Sequence, residues 1–141
     1  NESKSVFIMN SGIISNNKSN SEVTETGGGG VFNAGTMSMY GDAIIGELFN
    51  ENNTKATESK CSNYAVYGGG IYNTGTLTLG TADNQLTGGI YYNYAILGGG
   101  VNNAASGSFT INSGTIEYNG ATVKSGVLGN FKNNDGQIQP D

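Results

Sequence analysis

Apolar side chains alternate with small polar ones in short runs along this chain, and glycine interrupts the runs every few residues. In Thr76-Leu77-Thr78-Leu79 the leucines share one face and the threonines the other, which is the two-residue period of a strand with one buried side. Thr36-Met37-Ser38-Met39 and Ser108-Phe109-Thr110-Ile111 repeat the alternation. Val6-Phe7-Ile8-Met9 reads as the tail of a further copy whose glycine turn is missing. No segment sustains a 3.6-residue period, so the elements predicted are short strands and turns.

The runs belong to a repeat. Gly28-Gly29-Gly30-Val31-Phe32-Asn33-Ala34-Gly35-Thr36-Met37-Ser38-Met39 matches Gly68-Gly69-Gly70-Ile71-Tyr72-Asn73-Thr74-Gly75-Thr76-Leu77-Thr78-Leu79 position by position. Gly98-Gly99-Gly100-Val101-Asn102-Asn103 begins a third copy, with two extra residues before its second strand, and a degenerate fourth starts at Lys124-Ser125-Gly126-Val127. A second block follows: Ile90-Tyr91-Tyr92-Asn93 and Ile116-Glu117-Tyr118-Asn119 end alike, and Asn63-Tyr64-Ala65-Val66-Tyr67 parallels Asn93-Tyr94-Ala95-Ile96-Leu97. The unit is roughly 24 to 40 residues, and the insertions at 18–27, 40–62 and 80–89 read as loops leaving a common scaffold.

A repeat that keeps apolar residues at alternate places, with polar ones between, suits coils stacked like over like. The fold predicted is all-β: one β-solenoid domain over residues 1–141, a parallel β-helix taken as right-handed, of about four to five coils. At a strand spacing of about 4.8 Å the rod is on the order of 20 Å long. Asn33, Asn73 and Asn103 share the parity of the buried Val31, Ile71 and Val101, so they face inward or sit at a turn. A stacked asparagine ladder meets either case, because each carboxamide both donates and accepts. Asn17, Asn63, Asn93 and Asn119 are candidates for a second ladder.

Composition narrows the chemistry. The formal charge is −5, with six lysines and no arginine or histidine. That balance does not favour nucleic acid, which is bound by neutralising phosphates, nor an anionic membrane surface. No apolar run is long enough for a membrane-inserted helix. Without histidine, the Ser-His-Asp and Cys-His arrangements are excluded. The single Cys61 cannot complete a cysteine cluster or an internal disulfide. The triple glycines recur once per coil and lack the Lys-Ser/Thr of a phosphate loop. Asp42 and Asp83 each follow a strand, but neither has a matching acid or a cation in its repeat. No enzyme activity, no metal and no cofactor is expected. The outward column Thr36, Thr76, Ser108 beside Ser38, Thr78, Thr110 has the hydroxyl spacing of an ice-binding face, with only three ranks and one of them displaced. The loop residues Phe49, Asn50, Glu51, Asn52 and Asn53 are the candidate recognition tip, since binding residues gather on loops held by rigid scaffolds.

The motifs [Ile/Leu/Phe]-x-x-Asn, here Ile90–Asn93 and Ile116–Asn119, and Gly-Gly-Gly-[Ile/Val], here Gly28–Val31, Gly68–Ile71 and Gly98–Val101, resemble the repeats of chlamydial-type polymorphic outer-membrane proteins and autotransporter-passenger-type bacterial surface proteins. The departures are a third glycine in place of alanine and Ile in place of Phe. The resemblance implies a parallel β-helix that is secreted and exposed at the cell surface, with structural or adhesive work. Two functions are expected from these readings. One is an extracellular structural protein that assembles with itself, by coil stacking or strand exchange, into a fibre or surface layer. The other is a repeat fragment of a large cell-surface adhesin that binds a host surface or glycan. An ice-binding or polysaccharide-active β-helix is a minor third.

Overall fold

The computed structural model describes residues 1–20, 26–48 and 54–123, together with the backbone of 131–134 and 137–140. The described residues contain strands and turns and no helix. Fourteen strands pair in parallel, in four sheets that wind as a β-solenoid.

Each coil visits the four sheets in turn. Sheet A holds β1 (Val6–Met9), β4 (Thr36–Met39), β8 (Thr76–Leu79) and β12 (Ser108–Ile111). Sheet B holds β2 (Ile13–Ile14), β5 (Ile44–Gly46), β9 (Gly89–Tyr91) and β13 (Thr115–Glu117). Sheet C holds β6 (Tyr64–Tyr67), β10 (Tyr94–Leu97) and β14 (Gly120–Val123), and a parallel bridge from Lys18 to Tyr64 adds the first coil. Sheet D holds β3 (Val31–Asn33), β7 (Ile71–Asn73) and β11 (Val101–Asn103).

Stacking in register puts like over like. In sheet A, Phe7, Met37, Leu77 and Phe109 form one inward column, and Met9, Met39, Leu79 and Ile111 another. Sheet B contributes Ile14, Ile45, Ile90 and Ile116. Sheet D contributes Val31, Ile71 and Val101, and sheet C the small Ala65, Ala95 and Ala121. Met37, Met39, Ile45, Ile71, Leu77, Leu79 and Ile90 are fully buried, and each contributes about 1.5–3 kcal/mol by leaving water. No single coil could enclose these side chains, so the core exists only in the stack.

The triple glycines form the corner between sheets C and D. Gly28, Gly68 and Gly98 take positive φ (90°, 64° and 70°), a region that favours glycine. The next two glycines let coils close up: a Cβ on Gly69 or Gly70 would lie 2.5 Å from the carbonyl oxygen of Gly99 or Gly100 in the following coil.

Three expectations need correction. Residues 44–46 lie inside the stretch expected as loop 40–62, yet they form β5, because its two isoleucines complete the sheet B column. The longest coil exceeds the expected unit, since Asn17 and Asn63, at equivalent positions, are 46 residues apart. Ser108 and Thr110 are not displaced by the extra residues before them. The turn absorbs those residues, and both stay paired with Thr76 and Thr78. At the far end the expected fourth glycine copy falls in residues 124–130, outside the described residues. Beyond it the described backbone forms no further coil. Strands β15 (Phe131–Asn134) and β16 (Gln137–Pro140) make an antiparallel hairpin whose first strand lies along β13.

Candidate functional site

Most of the buried polar residues belong to two asparagine ladders. At the end of sheet D, Asn33 Nδ2 donates to Asn73 Oδ1 at 2.6 Å, and Asn73 Nδ2 to Asn103 Oδ1 at 2.6 Å. Asn33 and Asn73 are fully buried, and Asn103 is partly so. Each amide also bonds the turn that follows, as in Asn73 Nδ2 to the Ser108 carbonyl at 3.0 Å. Asn1 is a further rung: its Nδ2 donates to Asn33 Oδ1 at 2.8 Å. The Asn1–Ser5 turn copies the Asn103–Gly107 turn, with Ser5 N bonding the Glu2 carbonyl as Gly107 N bonds that of Ala104.

The second ladder lines the corner between sheets B and C. Asn17 Nδ2 donates to Asn63 Oδ1 at 3.1 Å, Asn63 Nδ2 to Asn93 Oδ1 at 2.7 Å, and Asn93 Nδ2 to Asn119 Oδ1 at 3.0 Å. The residue before the rung turns the corner in left-handed conformation at Asn16 (φ 60°), Tyr92 (55°) and Tyr118 (57°). Such a φ is uncommon for a tyrosine, and the ladder bonds of the next residue hold it. These carboxamides are engaged with one another and with backbone, so the ladders are cohesion between coils.

Outside the core, a concavity of about 240 Å³ opens beside sheet C, where the first coil meets residues 58–64. Lys18, Glu58, Cys61, Ser62 and Tyr64 line it, with Asn16 and Asn17. The Lys18 ammonium lies 4.9 Å from the centroid of the Tyr64 ring, a cation–π contact. The Tyr64 hydroxyl makes a long bond, 3.4 Å, to Glu58 Oε1. Tyr64 stacks on Tyr94 with centroids 6.1 Å apart, and the Tyr94 hydroxyl is 2.6 Å from Thr122 Oγ1. Burial, with help from Glu58, pushes the Tyr64 phenol above its ordinary pKa. Burial also raises the Cys61 thiol, opposed by Lys18 and reinforced by Glu58. Ser62 is buried, and its hydroxyl has no hydrogen-bond partner among the described residues.

The outer face of sheet A is a regular array. Val6, Thr36, Thr76 and Ser108 form one column, and Ile8, Ser38, Thr78 and Thr110 the other. The first coil thus adds an apolar rank to the three hydroxyl ranks read from sequence. Asp42 and Asp83 are exposed. Among the described residues no group of three or more His, Cys, Asp or Glu side chains gathers at metal-binding distance. The proposed recognition tip, Phe49, Asn50, Glu51, Asn52 and Asn53, lies outside the described residues.

Sequence reasoning missed Asn1, because Ser5 stands where the later copies have glycine. It missed the concavity because Lys18 comes from the coil before Glu58 and Tyr64, and Glu58 stands in an insertion that no other coil repeats. No family model, no curated protein and no solved structure matches this chain.

Proposed function

We propose that this protein is a structural component of an extracellular fibre or surface layer that grows by docking coil on coil. The observation that carries the reading is the edge formed by the first coil. Strands β1 and β2 are outermost in sheets A and B. Among the described residues, Val6, Ile8 and Ile13 on these strands are exposed at 67%, 54% and 62%. Neither strand carries a charge or a proline, the devices by which free sheet edges are usually protected from pairing. An edge with open backbone groups and β-branched side chains is complementary to another coil of the same kind. In this reading the chain's principal partner is a further copy of itself.

Electron microscopy and light scattering of the purified chain test this. Filaments or sheets of constant width are expected, and the double variant Val6→Lys, Ile8→Lys should abolish them. A chain that stays monomeric at high concentration, with blank grids, refutes the assembly.

A second reading is that the solenoid is a repeat unit of a cell-surface adhesin. The hairpin on β13 favours it, because that hairpin occupies sheet B at the end opposite the open edge and opposes docking there. Loops of unequal length leaving the scaffold beside sheet C favour it as well. The reading calls for saturable binding of the monomer to a host surface or glycan.

A further inference from the structure

The concavity beside sheet C combines features that the scaffold alone does not explain. Lys18 and Glu58 line it together, yet among the described residues no ion pair joins them. Each instead addresses Tyr64, one at its ring and the other at its hydroxyl. An ammonium and a carboxylate facing one cavity without pairing leave it with no net charge, so a simple anion or cation is opposed by one of them. The rest of the lining is the amides of Asn16 and Asn17, the serines Ser59 and Ser62, and Cys61. Ser62 is 4% exposed, and its hydroxyl is unpartnered, an expensive state for a buried polar group. Asn17 spends its amide nitrogen on the Ser15 carbonyl and on Asn63 Oδ1, so its own oxygen is at the head of the ladder.

A ligand suited to this wall is neutral overall, rich in hydroxyls that both donate and accept, and about the size of one sugar ring. We propose that this concavity binds a single hexopyranose unit of a glycan. In this arrangement Lys18 and Glu58 divide a pair of neighbouring sugar hydroxyls, the ammonium donating and the carboxylate accepting. Charge-assisted bonds of this kind are stronger than neutral ones. The inference rests on the adhesive reading of the protein and is independent of whether copies assemble.

The test is a titration of the full ¹⁵N-labelled chain with methyl α-mannoside, methyl β-galactoside and methyl β-N-acetylglucosaminide, with serine as a small zwitterion for comparison. At least one glycoside should give saturable shifts confined to residues 16–18 and 58–64, with a dissociation constant on the order of 1 mM for so open a site. Lys18→Met and Glu58→Gln should each weaken binding about tenfold or more. Thr78→Val, on sheet A, should leave it unchanged. The proposal is overturned by three outcomes: no saturable shift up to about 100 mM glycoside, binding of serine alone, or an affinity indifferent to both substitutions. Binding to a glycan-coated surface that survives both variants removes this site and leaves the adhesive reading standing. Sugar binding without any surface binding does the reverse.

Discussion

Replacing Asn93 by alanine removes a rung from the middle of the second ladder. Asn93 is fully buried. Its side chain accepts from Asn63 Nδ2 at 2.7 Å and donates to Asn119 Oδ1 and to the Ile45 carbonyl, both at 3.0 Å. Each such bond contributes about 1 kcal/mol net, so the loss of all three costs about 3 kcal/mol. Asn63 and Asn119 are themselves buried, and water does not reach them freely, which raises the expected loss to about 3–5 kcal/mol. Against a typical total of about 5–15 kcal/mol, that is a large fraction. Urea unfolding followed by circular dichroism measures it, with the exposed Asn84→Ala as control, expected to change stability by less than about 0.5 kcal/mol. A loss below about 1 kcal/mol for Asn93→Ala at unchanged slope would refute the view that the ladder holds the coils together.

Further outcomes follow from particular atoms. At Gly46, φ is +110° and a Cβ would sit 1.7 Å from the Tyr91 carbonyl oxygen. Gly46→Ala should therefore cost more than about 3 kcal/mol or prevent folding, whereas Gly12→Ala, with φ +91° and open space, should cost only about 1 kcal/mol of backbone strain; equal denaturation midpoints for the two would contradict this. Burial is the main cause that raises the Tyr91 phenol above its ordinary pKa. The unfolded chain then loses this proton first, so stability is complete below the unfolded value of about 10 and falls as pH rises past it. Melting in alkali should show that fall, and Tyr91→Phe should flatten it. Burial likewise holds the Cys61 thiol protonated, so iodoacetamide should modify it more slowly than free glutathione at pH 8, and Glu58→Gln should speed the reaction. A rate equal to that of glutathione would count against a partly buried thiol.

The stacking register was legible because a solenoid writes its tertiary contacts into sequence periodicity: residues that touch are residues that repeat. Leu77 and Met37, or Asn33 and Asn73, could be paired by alignment alone. Where contact does not follow the repeat, the reading lost its grip. The Ile44–Gly46 segment is too short to look like a strand, and it becomes one only between β2 and β9. Asn1 joins its ladder through a turn whose glycine is replaced by Ser5. The hairpin after residue 130 pairs antiparallel to β13, and no copy elsewhere in the chain predicts it. The concavity was hidden for a related reason: Lys18 stacks on Tyr64 in register, but Glu58 stands in an insertion that no other coil repeats.

The ladders have a direction. Along both, each side-chain bond between rungs runs the same way, from the amide nitrogen of one coil to the amide oxygen of the next. In the second ladder the backbone N–H groups of Asn17 and Asn93 donate to the same oxygens and hold the amides in that sense. The amide dipoles are therefore parallel, and they add along the rod as peptide dipoles do along a helix. The last rungs turn their amide hydrogens to backbone instead, Asn103 to the Gly107 carbonyl and Asn119 to the Ile90 and Glu117 carbonyls. The asparagines thus give an otherwise repetitive cylinder a polarity, which any further coil must adopt.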